Sequence, residues 1–156
     1  MNKISLRFAM IVGLAGMLCA CAMAPYVEPQ GGDVADIVMR ISPALMTKYT
    51  LVIYDDAYTC TGEKQLVSDS YRSNVSATRV VAEKLVTFGY SEIQGRNSCQ
   101  MNISFTPKAN HVYAFDSTTK PGRCTVKVID ATDINQQVAV GTVNRTVDKF
   151  KCKPLN

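Results

Sequence analysis

Cys99-Gln100-Met101-Asn102-Ile103-Ser104-Phe105-Thr106-Pro107 alternates without a break, with Met101, Ile103 and Phe105 on one side, Gln100, Asn102 and Ser104 on the other, and Pro107 closing the run. A period of two over this length marks a strand with one face on a core and the other toward water. Working outward, Lys108-Ala109-Asn110 reads as a turn and His111-Val112-Tyr113-Ala114-Phe115 as β-rich. After a second turn at Lys120-Pro121-Gly122, Cys124, Val126 and Val128 alternate with Thr125 and Lys127. Two short turns joining three strands predict an antiparallel meander. Upstream, Ile37, Met39 and Ile41 alternate with Val38 and Arg40 before Ser42-Pro43, and Tyr49, Leu51 and Ile53 alternate with Thr50, Val52 and Tyr54 before Asp55-Asp56. In the stretch Ala77 to Tyr90, the residues Val80, Val81, Lys84, Leu85 and Phe88 could line a helix. Its β-branched content and Gly89 argue instead for strands turning near Glu83-Lys84, the reading adopted here. Val138 to Val140 and Thr142 to Val147 add one or two more. The sum is an all-β chain, an antiparallel β-sandwich of about seven or eight short strands. No tryptophan marks an immunoglobulin core, and no internal repeat is evident.

The N-terminus has a different grammar. Lys3 and Arg7 precede the apolar run Phe8 to Leu18, and no acid appears before Glu28. Such a run has the length of a signal h-region and falls short of the about 20 residues that a spanning helix needs. It ends in Leu18-Cys19-Ala20-Cys21, which resembles the lipobox of bacterial lipoproteins, a branched apolar residue three before the cysteine and a small one directly before it. The resemblance makes 1–20 a cleaved signal and Cys21 the lipid-bearing first residue. Acylation at Cys19 would place bulky Leu18 before it, and cleavage after Ala22-Met23-Ala24 would leave Pro25 first; an uncleaved membrane helix is the remaining alternative. Several acyl chains on one cysteine anchor durably, because each buried methylene contributes about 0.8 kcal/mol. Residues 21–33 hold Pro25, Pro29 and Gly31-Gly32 without apolar periodicity, so they read as the lipidated cysteine and a flexible tether. Residues 34–156 then form a single domain.

With Cys19 removed and Cys21 acylated, Cys60, Cys99, Cys124 and Cys152 remain, an even number that predicts two disulfides in an exported chain. No CxxC and a single histidine make a metal site improbable, and none is expected. Four cysteines permit three connectivities. The meander favours Cys99–Cys124, since both would lie at the same end of the three-stranded unit, leaving Cys60–Cys152 to tie the chain's two ends. Each bridge stabilises by about 2–5 kcal/mol.

The run Ser98 to Pro107, followed by Asn110-His111-Val112-Tyr113 and Gly122 to Val128, resembles a pattern in small uncharacterised proteobacterial lipoproteins: a Cys strand ending in Phe-x-Pro, a Tyr strand, then a second Cys strand. The resemblance implies an all-β envelope protein of a diderm host and carries no activity. Ala22 after the lipidated cysteine implies outer-membrane sorting, with the domain in the periplasm.

Charge and chemistry narrow the function by exclusion. The formal net charge is +4, of which Lys3 and Arg7 leave with the signal, giving +2. The longest basic cluster, Lys149-Phe150-Lys151-Cys152-Lys153, reads as a solvated tail, so nucleic acid is not an expected partner. A Ser/His/Asp device would depend on His111, read as an exposed turn residue. Asp55-Asp56 and Asp130 with Asp133 read as solvated turn acids rather than a calcium site. Neither phosphate-binding glycine loops nor a haem CxxCH is present. Asn74-Val75-Ser76, Asn102-Ile103-Ser104 and Asn144-Arg145-Thr146 match a glycosylation triplet that a bacterial lipoprotein would seldom use. The expectation is a non-catalytic, cofactor-free protein, held to a membrane by its lipid, that docks another envelope protein of unknown identity, with an edge strand as one recognition mode. The alternative is a small-ligand or inhibitor module using Tyr54, Tyr58, Tyr71, Tyr90 and Tyr113.

Overall fold

The computed structural model describes residues 23–40, 47–70, 77–120, 123–148 and 151–156. The signal, Cys21, Ile41, Tyr71, the first glycosylation triplet and the Pro121-Gly122 turn lie outside them. Alternation becomes strand wherever one set of side chains can reach an apolar partner. In Val34–Arg40, Ala35, Ile37 and Met39 are buried and their neighbours are half-exposed. Numbered in order, the strands are β1 Ala24–Pro25, β2 Val34–Arg40, β3 Thr47–Asp56, β4 Thr61–Ser70, β5 Thr78–Val81, β6 Val86–Gln94, β7 Asn97–Phe105, β8 Val112–Lys120, β9 Arg123–Asp130, β10 Val138–Ala139, β11 Val143–Asn144, β12 Thr146–Asp148 and β13 Lys151–Cys152. The described residues contain no helix, and the stretch Ala77 to Tyr90 is strand on both sides of a turn.

Two sheets carry the fold, ordered β1-β4-β3-β6-β7-β11 and β10-β9-β8-β2-β5, with β12-β13 as a separate ribbon. Their inner faces meet in one core. Leu51, Phe88, Tyr90, Ile103 and Phe105 come from the first sheet and Ile37, Val80, Tyr113, Phe115 and Val128 from the second. The rings of Phe88 and Phe115 cross the gap edge to face with centroids 5.2 Å apart, as do those of Phe105 and Tyr113. Such pairs add about 0.5–1.5 kcal/mol beyond the area they bury. This is an all-β sandwich stapled by disulfides, as expected.

Three expectations need correction. The sheets are mixed rather than wholly antiparallel, since β2 runs parallel to β8 and β1 parallel to β4. The meander does not exist: β7 pairs with β6 and β11 in the first sheet, while β8 pairs with β9 and β2 in the second. A short connection between two strands suits either a hairpin or an arch that stacks their apolar faces, and the Phe105–Tyr113 contact shows the arch. Asn110, in the left-handed region at φ 62°, holds that connection to β2 through its N–H on the Val34 carbonyl. Finally, the stretch read as a flexible tether is docked. β1 pairs with β4 at Lys64 and Gln65, the Tyr26 N–H donates to the Gln65 carbonyl, and Glu28 reaches Arg79 of β5 at 3.6 Å. The segment therefore crosses from the edge of one sheet to the edge of the other and closes that side of the sandwich.

Both disulfides form in the expected pairing, on different grounds. Cys99–Cys124 joins β7 to β9 and so links the two sheets, with Cα atoms 5.2 Å apart. Cys60–Cys152 fastens the C-terminal segment to the turn between β3 and β4, with Cα atoms 6.1 Å apart.

Candidate functional site

The outward face of the first sheet holds a groove of about 310 Å³. Core alternation creates it: with Tyr49, Leu51 and Ile53 of β3 facing inward, Thr50, Val52 and Tyr54 face outward and line the groove beside Glu63 of β4, Gly89 of β6 and Asn102 of β7. Gly89 supplies its floor. A Cβ there would stand 2.7 Å from Val52 Cγ2 and 3.0 Å from the Tyr54 hydroxyl, so only glycine lets the Tyr54 side chain lie this close to the sheet. The Tyr54 hydroxyl is 3.2 Å from Glu63 Oε1 and 3.1 Å from the Asn102 side-chain amide. One hydroxyl proton cannot serve two acceptors. Both contacts are satisfied when the proton goes to Glu63 and the Asn102 NH₂ turns toward the phenol oxygen.

Burial, helped by the charge of Glu63, pushes the Tyr54 phenol up to about 12. Because that value lies above the ordinary 10, the stability tied to this phenol is complete below pH 10 and is lost as pH climbs through the folded value. Urea midpoints followed from about pH 9 to 12 should therefore fall, and Tyr54→Phe should flatten part of that fall. A pH profile unchanged by Tyr54→Phe would contradict the assignment. Tyr90 is raised still further by burial, so the profile keeps a residual slope.

Across the same face of the first sheet lies the C-terminal segment, which Arg145 organises. Arg145 is 1% exposed although arginine is seldom fully buried. Its Nη1 donates to the Ala57 carbonyl and Ser104 Oγ, both at 2.9 Å, its Nη2 to the Tyr58 carbonyl at 2.6 Å, and its Nε to the Lys153 carbonyl. Thr87 Oγ1 donates to the Ala57 carbonyl, so Ser104 must supply the proton of the 2.6 Å Thr87–Ser104 contact. Burial lowers the Arg145 pKa, and Asp56 works in the opposite sense. Sequence reading saw Arg145 only within a glycosylation triplet and attached no role to it; an isolated arginine in a polar stretch gives no local sign that it is buried.

A second polar cluster sits inside the sandwich at the Cys99–Cys124 end. Glu92, 5% exposed, accepts hydrogen bonds through Oε2 from Tyr90 at 2.7 Å and from Ser117 and Thr119 at 2.9 Å each, which ties β6 to β8. Of the tyrosines singled out in the sequence, Tyr54 lines the groove, Tyr90 and Tyr113 lie in the core and Tyr58 is exposed. His111 is not simply an exposed turn residue. Its Nδ1 stands 2.7 Å from Asp130 Oδ2, its side chain is 32% exposed, and its ring stacks on Tyr113. Burial works to raise the Asp130 pKa, but hydrogen bonds from Thr132 and His111 outweigh it and hold the carboxyl below its ordinary value. The other acids behave as turn residues: Asp56 accepts from the Tyr58 and Thr59 N–H groups and Asp133 from that of Asn135, while Asp55 pairs with Lys64.

The sheet edges complete the surface. On the outer side of β7, the Asn102 carbonyl accepts from the Arg145 N–H and the Asn102 N–H donates to Thr146 Oγ1. The antiparallel ladder alternates, so Gln100 and Ser98 turn their main-chain groups to the same side. There the short strand β11 has ended, having paired only with Ile103 and Ser104, and among the described residues neither group has a partner. β9 is likewise covered by β10 only at Ile129 and Asp130.

The chain matches no family model, no curated protein and no solved structure. What it does must therefore be argued from this surface.

Proposed function

We propose that this chain is a lipid-anchored, non-catalytic protein of the bacterial envelope that docks another envelope protein through its open sheet edge. The observation that carries the reading is the pair of partly uncovered strands, β7 and β9, held side by side by Cys99–Cys124. Unpaired main-chain groups on a rigid edge are a template for an added strand. Two disulfides suit an oxidising compartment, in keeping with the signal and lipobox-like residues at the N-terminus. Anchoring also suits the docked β1: Cys21 comes only two residues before Met23 in the sequence, so lipid there would hold the domain close to the bilayer.

A photo-crosslinking residue at Gln100 in intact cells should yield one dominant protein adduct, and the same residue at Lys84, at the far end of the strands, should not. Cys21→Ala should move the protein from the membrane to the soluble fraction. Equal adducts from both positions, or none, would overturn the docking reading. The groove beneath Tyr54 favours a second reading, a small-ligand module. A small molecule released on denaturing the purified native protein, and lost on Gly89→Val, would support it.

A further inference from the structure

We propose that the Ser98–Met101 edge of β7, with the cationic tip beside it, binds an extended acidic segment of a partner protein that adds to the first sheet as a strand. This rests on the docking reading and names the chemistry of its partner.

Strand order brings the basic residues together. The turn between β6 and β7 carries exposed Arg96, and the turn between β8 and β9 is flanked by exposed Lys120 and Arg123. Both turns lie at the end of the sandwich marked by Cys99–Cys124, and Lys48, exposed near the start of β3, pairs with Ile93 at the same end. Lys120 and Arg123 stand directly opposite one another in register, a like-charge pairing that destabilises a hairpin. An anionic ligand across this tip would remove that cost. Of the acids along these strands, Glu92 is buried among hydroxyls and Asp116 stands opposite Lys127, further from the tip.

Three observations choose an acidic strand over other anions. Gln100 and Ser98 offer main-chain donors and acceptors at strand spacing, which a lipid headgroup or a glycan carboxylate cannot pair in alternation. Ile93, 52% exposed and opposite Ser98, offers an apolar contact for alternate side chains of an incoming strand. The tip also points away from the anchor. β1 runs parallel to β4, so its N-terminal end lies toward the β3–β4 turn, at the far end of the strands from Arg96 and Arg123. A second copy of the chain is disfavoured, because its own Ser98–Met101 edge carries no acid to meet Arg96 and Arg123.

The test uses the oxidised domain and a peptide alternating glutamate with valine, read by fluorescence anisotropy and by amide exchange. Binding should protect the Ser98 and Gln100 amides and weaken steeply with salt. It should weaken at least tenfold when the peptide's alternate main-chain nitrogens are methylated, and again on Arg96→Gln with Arg123→Gln. Unchanged urea midpoints would show that these variants remain folded. Equal binding of the methylated peptide, equal binding of anionic phosphatidylglycerol vesicles, or no binding at millimolar peptide would each overturn the proposal. If Gln100 crosslinks a protein in cells while the peptide does not bind, this inference fails and the docking reading stands. If neither occurs, both fail.

Discussion

Replacing Cys60 and Cys152 together by alanine should lower the stability of the oxidised domain by about 4–5 kcal/mol, against about 3–4 kcal/mol for the corresponding change at Cys99 and Cys124. The difference follows from loop length. One bridge spans a separation of 92 residues and the other 25, and the conformational entropy removed from the unfolded chain grows with the logarithm of the closed loop. The folded state adds a local consequence. The segment from Val143 onward is held to the body by few main-chain bonds: β11 on β7, Arg145 on Asn102, and Leu155 on Tyr58. Without the bridge, amides after Val147 should exchange far faster than those of β6 and β7. Urea unfolding of both variants, with hydrogen exchange on each, checks this. Equal losses for the two bridges, or undiminished protection of the C-terminal amides, would contradict it.

The strands that sequence reading identified are those whose alternation is driven by burial: β2, β3, β7, β8 and β9 each set a run of apolar side chains on the core. β4 escaped it. Thr-Gly-Glu-Lys-Gln-Leu-Val-Ser-Asp-Ser offers only Leu66 and Val67 to the core, and much of the strand is exposed. It is held by its ladder to β3, which no side-chain period announces. The assignment of strands to sheets was also out of reach, because Phe105 and Tyr113 read alike whether their strands pair by edges or stack by faces. The disulfide pairing came out as expected although its premise failed: placing Cys99 and Cys124 at one end of the fold was right, and what they join proved to be two sheets rather than one. The candidate site was legible only in part. Tyr54 was named, whereas Gly89 and Asn102, which shape the groove around it, became meaningful only once register placed them opposite each other.

Arg145→Met should cost about 3–4 kcal/mol, because removing the guanidinium takes away its charged hydrogen bonds to the Ala57, Tyr58 and Lys153 carbonyls, each contributing about 1.5–3 kcal/mol, while Thr87 and the Leu155 N–H go on serving the first two. The loss is moderated because methionine spares the chain from burying a cation. Arg145→Lys should recover little, since a single ammonium cannot span carbonyls that the planar fork reaches on three sides. The informative measurement is the combination with the Cys60/Cys152 double alanine variant. Arg145 and the bridge hold the same segment to the same turn, one through Ala57 and Tyr58 and the other through Cys60. Once either is removed and the segment lifts, the other has little left to lose. The combined variant should therefore fall short of the sum of the separate losses by about 2–3 kcal/mol, well beyond the about 0.5 kcal/mol scatter seen for independent sites. Additivity within that scatter would mean that arginine and disulfide stabilise separate parts of the fold, and the C-terminal segment could not then be one cooperative strap across the outer face of the first sheet.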